Sequence, residues 1–319
     1  MIWSFLIHLG THMWADRDGA LYGRSTTPRG GMHKAEDTLR CQKEEWIRLT
    51  NEIAAMGMNT LIIDLGEGVK YQSHPELAIK GSWSVEELKE ELARLRSIGL
   101  NPIPKLNFAT THDEWLGEYQ RMVSTKKYYE VCADLIDEVC DIFDGPDYFH
   151  IGMDEESYHH QKPYSLAVVR HGDLWWHDLW FYVNQIEKHN TAAWMWSDKV
   201  ILGDSEEFVR KMPKSVLQSV WYYDREFTDQ ASNKYVLWDA FKYYGYLDQH
   251  GYKQVPTGST FMALDNMTLL AEYCKEQISP ENLLGYMMAP WQSTVDVNHH
   301  INVLGAELLR QVKVLDYHE

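Results

Sequence analysis

Short apolar runs alternate with longer amphipathic segments along this chain of 319 residues. The apolar runs have the length and the turn-forming flanks of buried strands. Eight strands are predicted, at Ile2–Leu9, Thr60–Leu65, Pro102–Phe108, Tyr148–Met153, Thr191–Trp196, Val216–Trp221, Val255–Phe261 and Leu284–Pro290. Strands that alternate with helices in this way indicate a parallel α/β sheet.

Helical periodicity fills most of the gaps between these strands. From Val85 to Ile98 the apolar positions step by three and four residues, which places them on one face of a helix. Ser84 precedes this segment and Glu87 follows three residues later, a spacing that predicts a capping box at the helix start. Further helices are predicted at Thr38–Met56, Tyr128–Phe143, Leu174–His189, Met267–Gln277 and His300–Leu315.

Eight β/α units in one uninterrupted chain favour a closed barrel over an open, doubly wound sheet. The sequence contains no linker, low-complexity stretch or glycine-rich nucleotide-binding motif that would suggest another arrangement. Barrels of this type, about 250 residues or longer, fold as one domain. We therefore predict an α/β fold, a single (β/α)8 TIM barrel that forms one catalytic domain over residues 1–319.

Composition narrows the classes of partner. The formal net charge of -17 at pH 7 disfavours nucleic acid and anionic membrane surfaces, so neither is predicted as a partner. No apolar run approaches the roughly 20 residues that span a bilayer. The first segment lacks a basic region and a cleavage site, so no signal peptide is expected, and a full-length chain would be cytoplasmic. The four cysteines show no CxxC spacing and are expected to be free thiols. The oligomeric state stays open.

The end of the fourth predicted strand carries the densest group of acidic residues. It reads Asp154-Glu155-Glu156, directly after an apolar run. Carboxylates in such a place must be solvated, paired or catalytic. Because barrel active sites lie at the carboxyl ends of the strands, we expect catalysis here.

Aromatic residues follow three other strands, in a chain that has 13 Trp and 19 Tyr. Aromatic faces pack against sugar rings, while indole and phenol groups bond sugar hydroxyls, so a carbohydrate substrate is predicted. An aromatic-rich core that caps the barrel is the alternative interpretation. The candidate substrate-binding residues at these strand ends are Trp194, Trp196, Asp198, Trp221, Tyr222, Tyr223 and Trp291.

The segment His150-Ile151-Gly152-Met153-Asp154-Glu155 resembles the H-x-G-G-D-E motif of glycoside hydrolase family 20, the β-N-acetylhexosaminidases. The resemblance implies that Glu155 is the general acid and base. It implies that Asp154 stabilises the substrate's own 2-acetamido group as that group attacks the anomeric carbon, giving an oxazolinium intermediate. His112, which lies near the place of the family's P-G-H histidine, is a further substrate-binding candidate, as is His150 of the strand motif. The resemblance implies no cofactor.

The sequence departs from the family pattern at several positions. Arg17 is the substrate-binding candidate for the family's arginine that grips the sugar's outer hydroxyls, although it lies later in the chain. Trp291-Gln292-Ser293 stands where the family has W-x-E. Asn107 replaces the third-strand aspartate. The tyrosine that holds the acetamido carbonyl has no clear equivalent after the seventh strand, and Tyr222 and Tyr223 are the candidates to substitute for it. The α+β domain that precedes the family's barrel is not in this chain. These differences predict a divergent member.

Two conditions follow for the catalytic pair. Adjacent side chains on a strand point to opposite faces, so Asp154 and Glu155 can share a pocket only if the chain bends after Met153. A general acid also calls for a raised carboxyl pKa, which a partly desolvated pocket next to a second carboxylate would produce.

Other functions remain open from the sequence. Asp198 or Asp224 could serve as a direct nucleophile or base on a sugar without the acetamido group. A barrel that binds carbohydrate without hydrolysing it would also retain the aromatic residues. No metal site is predicted, because the adjacent pairs His159-His160 and His299-His300 lack metal-ligand spacing.

Overall fold

The computed structural model describes residues 1–13, 35–162, 164, 166–228 and 239–318. Within these residues eight parallel strands form one sheet, with helices between them. The strands are β1 (Ile2–His8), β2 (Thr60–Asp64), β3 (Asn101–Lys105), β4 (Tyr148–His150), β5 (Ala192–Trp196), β6 (Leu217–Ser219), β7 (Thr257–Gly258) and β8 (Gly285–Met288). The α-helices are α1 (Lys43–Ala55), α2 (Val85–Ser97), α3 (Lys126–Ile142), α4 (Tyr158–Gln161), α5 (Gly172–Glu187), α6 (Asp198–Leu202), α7 (Ser205–Lys211), α8 (Tyr243–Gln249), α9 (Asn266–Gln277) and α10 (His299–Gln311).

The sheet closes on itself. Its order is β6-β5-β4-β3-β2-β1-β8-β7, and the two outermost strands are joined by parallel bridges between Gln218 and Gln254 and between Trp221 and Thr257. The predicted single (β/α)8 barrel is therefore confirmed. In a closed barrel the carboxyl ends of all eight strands meet on one face, which gathers residues from distant parts of the chain.

Helix α2 shows how the sequence pattern sets the outer layer. Its residues Val85, Leu88 and Leu92 are buried against the barrel. The predicted capping box is present, because Ser84 Oγ accepts the Glu87 amide at 3.1 Å and Glu87 accepts the Ser84 amide at 2.9 Å. These bonds satisfy donors that the first helical turn leaves without partners.

Several strands are shorter than the apolar runs that predicted them. β4 ends at His150 instead of Met153, and β7 contains only Thr257 and Gly258. The residues just beyond these ends are still buried, which explains why they looked like strand. After β4 the positive φ angles of Gly152 and Met153 end the extended backbone. Helix α8 was not predicted, because its segment of tyrosines and polar residues has weak apolar periodicity.

A charged layer crosses the barrel where the first four strands end. His8 pairs in register with Asp64, Asp64 with Lys105, and Lys105 with His150, and all four residues are buried. Lys105 Nζ lies 2.6 Å from Asp64 Oδ2. Burial raises the pKa of Asp64, but Lys105 and His8 together outweigh that effect and lower it. A buried ion pair therefore forms the floor under the strand-end face.

Two further features concern the cysteines and the helices. The four cysteines are free; three are buried, and Cys41 is half-buried. Among the residues that the structure describes, none of the helices is both long enough and apolar enough to cross a membrane.

Candidate active site

The chain turns sharply after β4. Gly152, Met153 and Glu155 have φ angles of 69°, 67° and 53°. This left-handed region costs a residue with a Cβ about 1–2 kcal/mol, so surrounding contacts must hold Met153 and Glu155 there. The Gly152 amide donates to His150 Nδ1 at 3.1 Å and the Met153 amide to Asn107 Oδ1 at 3.2 Å. The bend that the sequence required after Met153 is present.

Asn107 joins this turn to the first carboxylate. Its amide nitrogen donates to Asp154 Oδ1 at 2.7 Å, while its oxygen accepts the amides of Ala109 and Met153. The contact with the turn is close, since a Cβ added to Gly152 would lie 2.1 Å from Asn107 Oδ1. Position 152 therefore requires glycine for both its φ angle and its space.

Asp154 and Glu155 meet at one imidazole. His112 Nε2 lies 3.3 Å from Asp154 Oδ2 and 3.3 Å from Glu155 Oε2. His112 follows β3, so the barrel brings it to the carboxylates from a separate strand end. The side chains of His112 and Asp154 are 3% and 10% exposed, and that of Glu155 is 16% exposed. This leaves Glu155 as the more accessible carboxylate of the pair.

The charges of the trio are strongly coupled. Burial lowers the pKa of His112, but Asp154 and Glu155 more than offset this and raise it to about 10. Burial raises the pKa of Asp154, yet His112 and then Lys105 and Asn107 leave it well below its usual range. The pKa of Glu155 is also lowered, because His112 and His160 outweigh the effect of its burial. The raised pKa expected for Glu155 was wrong, since the sequence argument did not include the two imidazoles.

Asp198 supports the turn from β5. Its Oδ2 accepts the Glu155 amide at 2.9 Å, and its Oδ1 accepts the Trp221 indole N–H at 2.8 Å. Burial and the neighbouring Asp154 raise the pKa of Asp198 well above its usual value. Each oxygen accepts one hydrogen bond, so Asp198 holds the Glu155 backbone and the Trp221 ring in place. Asp224 is half-buried, and its Oδ1 accepts the Arg225 amide at 2.7 Å.

Three aromatic residues form a connected group beside the carboxylates. Trp221 stacks on Tyr223 with ring centroids 5.1 Å apart, and the Tyr223 hydroxyl accepts the Trp291 indole N–H at 2.9 Å. Burial raises the pKa of Tyr223, with Asp154, Glu155 and Asp198 among the charges that add to the shift. Trp291 is half-buried and Trp221 retains slight exposure. Among the predicted aromatic residues, Trp221 and Trp291 thus keep some exposure at the strand-end face.

The remaining aromatic candidates lie in the barrel core or in a loop, although Trp196 also meets the Trp291 ring, with centroids 6.0 Å apart. Trp194 is fully buried and donates to Ser219 Oγ at 2.8 Å, so it belongs to the barrel core instead of a pocket wall. Trp196, one layer nearer the face, is also fully buried and packs 4.5 Å from the His150 ring. The Tyr222 hydroxyl donates to the Glu226 carbonyl at 2.6 Å, which fixes a loop. Arg17 lies outside the described residues.

The His150 ring supports the turn by accepting a backbone amide. Its Nδ1 accepts the Gly152 amide, which requires an unprotonated nitrogen at that position. Burial and then the Lys105 charge lower the pKa of His150 well below its usual value, which keeps this acceptor available. The residue thus supports the turn from below, and the described structure shows no exposed surface on it with which to contact substrate.

Sequence reasoning missed two side chains that shape the site. Arg170 binds Glu156, the third acidic residue of the run, through Nε at 2.8 Å and Nη2 at 2.6 Å, which explains how that carboxylate is tolerated. His160 Nε2 lies 3.4 Å from Glu155 Oε1. The available signal for His160 was its place five residues after Glu155, but it had been weighed only as a metal ligand. Among the described residues, no group of three or more His, Cys, Asp and Glu side chains is arranged so that it could hold a metal ion.

Comparison with known proteins extends this description. The family model for the catalytic domain of glycosyl hydrolase family 20 matches residues 108–305. No curated protein matches the chain. The matching solved structures include a chitobiase from Flavobacterium johnsoniae, with 17% identity and a TM-score of 0.63. They also include a β-N-acetylhexosaminidase from Bacteroides fragilis, with 16% identity and a TM-score of 0.57. A β-hexosaminidase mutant from Streptomyces plicatus in complex with the product GlcNAc has 13% identity and a TM-score of 0.62.

The matched region covers nearly all of this chain but a smaller share of each solved structure. It covers 93%, 95% and 96% of this chain, in the same order, but only 47%, 64% and 62% of the other proteins. The chain thus spans from about half to somewhat under two thirds of their length. Identities this low establish a shared fold, and the family match covers the strand-end carboxylates and the aromatic group.

Proposed function

The chain belongs to glycosyl hydrolase family 20, and we propose that it is a retaining exo-glycosidase of the β-N-acetylhexosaminidase type that acts by substrate-assisted catalysis. Its substrate is a carbohydrate with a terminal N-acetylhexosamine, and the reaction requires no cofactor. The observation that carries the proposal is the meeting of Asp154 and Glu155 at His112, through a turn that a regular strand could not make.

The two carboxylates have different roles. Glu155, the more accessible of the two, protonates the glycosidic oxygen while the acetamido carbonyl oxygen of the same sugar attacks the anomeric carbon. Asp154 stays ionised and stabilises the positive charge that develops on the acetamido group. Water then attacks the anomeric carbon as Glu155 takes up its proton, which opens the oxazolinium ring and retains the anomeric configuration.

The lowered pKa of Glu155 calls for a source of its proton. In the arrangement described, the shared proton lies on His112, whose pKa of about 10 is maintained by the two carboxylates. An acetamido group bonded to Asp154 takes part of the negative charge that holds this proton. The proton then passes from His112 to Glu155, and from Glu155 to the leaving oxygen.

Trp221, Tyr223 and Trp291 form the wall against which the sugar packs. Their connected indole and phenol groups fix the ring orientations, which lets aromatic faces meet the apolar faces of a sugar ring without loss of side-chain freedom. The engagement of both Asp198 oxygens disfavours the alternative in which this residue attacks a sugar directly.

Hydrolysis of an aryl β-N-acetylglucosaminide, measured beside the corresponding aryl β-glucoside, tests the proposal. Wild type should hydrolyse only the acetamido substrate, and Asp154→Asn and Glu155→Gln should each lose about 10²–10⁴ in kcat/KM. A series of aryl glycosides whose leaving phenols have progressively lower pKa values separates the two roles further. Activity of Glu155→Gln should recover as the leaving group improves, because a good leaving group needs no proton, while Asp154→Asn should show no such recovery.

Each outcome separates the candidate functions. Equal turnover of both glycosides would contradict the role of the acetamido group. It would favour the alternative in which a carboxylate of the protein attacks the sugar directly. Binding of N-acetylglucosamine without turnover of any substrate would instead indicate a carbohydrate-binding barrel. Folding of every variant is checked by its thermal midpoint, because a loss of activity counts only in a protein that remains folded.

A further inference from the structure

A second imidazole lies beside the Glu155 carboxyl group. His160 Nε2 is 3.4 Å from Glu155 Oε1, whereas His112 faces the other oxygen, Oε2. The two histidines come from different elements, since His112 follows β3 and His160 lies in α4. The proposed reaction assigns a role to His112 but none to His160.

The other end of the His160 ring is fixed by Ser157. Ser157 is the N-cap of α4, where its Oγ accepts the His160 amide at 3.4 Å. The same oxygen lies 2.8 Å from His160 Nδ1. A serine hydroxyl that accepts the helix amide is able to donate its own hydrogen to Nδ1, and a neutral imidazole that accepts at Nδ1 carries its proton on Nε2. This assignment places the ring proton on the nitrogen nearest Glu155.

No other group in the described structure forms a hydrogen bond with this nitrogen. His160 Nε2 is buried and has no hydrogen-bond partner among the described residues. Its distance from Glu155 Oε1 is long for a hydrogen bond, as is common for catalytic groups before substrate closes the site. Such a donor, aimed at a carboxyl oxygen, is free to tighten when the charge on that oxygen increases.

We propose that His160 is a positioning residue for the acid/base carboxyl, which orients Glu155 Oε1 through Nε2–H and stabilises the carboxylate left after the proton has passed to the leaving oxygen. The inference rests on the proposed function for the identity of Glu155 as acid and base. It adds a residue, outside the six-residue strand-end motif, that sets the pH range of the reaction.

The charges around Glu155 are consistent with this role. His112 and His160 favour its ionised form, whereas Asp154 and burial disfavour it. Asp198 meets Glu155 through the backbone amide. Burial lowers the pKa of His160 itself, with Glu155 acting in the opposite direction, so the ring is neutral at neutral pH and acts as a hydrogen-bond donor.

The pH dependence of kcat/KM tests the proposal. The proton that Glu155 donates is shared with His112, so activity falls as pH rises through the pKa of that pair. His160→Leu removes the donor and destabilises the carboxylate, which should move this basic limb upward by about half a unit to one unit. His160→Gln keeps a donor at a similar reach and should restore most of the wild-type position. Ser157→Ala, which releases Nδ1, should shift the limb in the same direction by less.

His159→Leu is the matched control. His159 is the exposed neighbour on α4, and among the described residues its ring meets His160, with centroids 5.5 Å apart, and not Glu155. Its variant keeps the Nε2–H donor of His160 and should therefore keep the wild-type limb. A His160→Leu protein with reduced kcat but an unmoved limb would assign His160 a structural role and overturn the proposal. Equal shifts in His159→Leu and His160→Leu would overturn it as well.

A direct titration separates this inference from the proposed function. The ¹³C signal of the Glu155 carboxyl carbon, assigned by its loss in Glu155→Gln, reports its ionisation without turnover. An upward shift of that titration in His160→Leu, reversed in His160→Gln, supports the contact with His160 even if no glycoside is hydrolysed. An unchanged titration overturns the inference even if wild type is an active hexosaminidase.

Discussion

The acidic run after β4 divides between two buried clusters. Glu155 belongs to one cluster, and the next residue, Glu156, belongs to the other. The first, the His112 cluster, contains Asp154, Glu155 and His112. The second, the Arg170 cluster, contains Glu156, Arg170 and Asp178. Each holds two carboxylates around one cation, yet the contacts to His112 are 3.3 Å long, whereas Arg170 binds Glu156 at 2.6 Å and Asp178 at 3.0 Å.

The difference lies in how completely each carboxylate is satisfied. Arg170 has donors enough for Glu156, Asp178, the Tyr182 hydroxyl and the Phe108 carbonyl at once. A guanidinium in this setting never loses its proton in the working pH range. An imidazole shared at longer distances can give up its proton. The same buried chemistry is therefore structural in the Arg170 cluster and suited to proton transfer in the His112 cluster.

Removing Arg170 should give the largest loss of stability. Arg170→Met leaves the buried Glu156 and Asp178 without their cation, and breaking a buried pair in this way costs about 3–5 kcal/mol. The free energy of unfolding, measured by urea denaturation, should fall by that amount. Arg210→Met makes the same chemical change at an exposed pair on α7, where Arg210 and Glu206 are 3.9 Å apart, and should stay within about 0.5 kcal/mol of wild type.

Equal stability of these two arginine variants would contradict the comparison. It would mean that the Arg170 cluster contributes no more than an exposed ion pair. Loss of hydrolysis by Arg170→Met under conditions where the protein stays folded would also change the picture, because Arg170 would then support Glu155 as well as Glu156.

The turn that presents the His112 cluster provides the next test. Gly152→Ala should cost about 2–3 kcal/mol and lower kcat/KM, because it combines a strained φ with a clash that displaces Asn107 from Asp154. Gly145→Ala separates these effects, since Gly145 has a φ of 65° but no atom within 4 Å of an added Cβ. That control should cost about 1–2 kcal/mol in unfolding experiments and leave hydrolysis unchanged. Matching activities in the two alanine variants would show that the Asn107 contact is dispensable.

Much of the barrel was predictable because burial and periodicity leave a mark on local sequence. All eight strands and helix α2 lie where the apolar pattern placed them, and the bend after Met153 followed from the alternation of side chains. The pattern does not say how deep a buried residue lies, however. Trp194 and Trp221 were equivalent in sequence, yet one fills the core and the other stacks on Tyr223.

The chemistry of the site was less predictable, because pKa values depend on charges that arrive from other loops. The acidic run suggested a raised pKa for Glu155, but His112 and His160 reverse the direction. Arg170, fourteen residues after Glu156, had no local signal that would link the two. Such pairs form only when the fold closes, so their partners cannot be derived from one strand end alone.

The smallest expected effect is a difference in how the two clusters respond to pH. The pKa of His112 rises from 6.5 to about 10 on folding, so its contribution to stability is complete below pH 6.5 and is lost as pH rises toward 10. Arg170 does not titrate in this range. The free energy of unfolding of wild type should therefore fall by about 1 kcal/mol per pH unit between about pH 7.5 and 8.5. His112→Gln should flatten that slope, while Arg210→Met should keep it. The pH window is chosen above the pKa of about 7 to which burial raises Glu67, so that Glu67 contributes little to the slope. An equal slope in His112→Gln would mean that Asp154 and Glu155 do not share a proton with His112, and the proposed proton path to the leaving oxygen would then have to begin elsewhere.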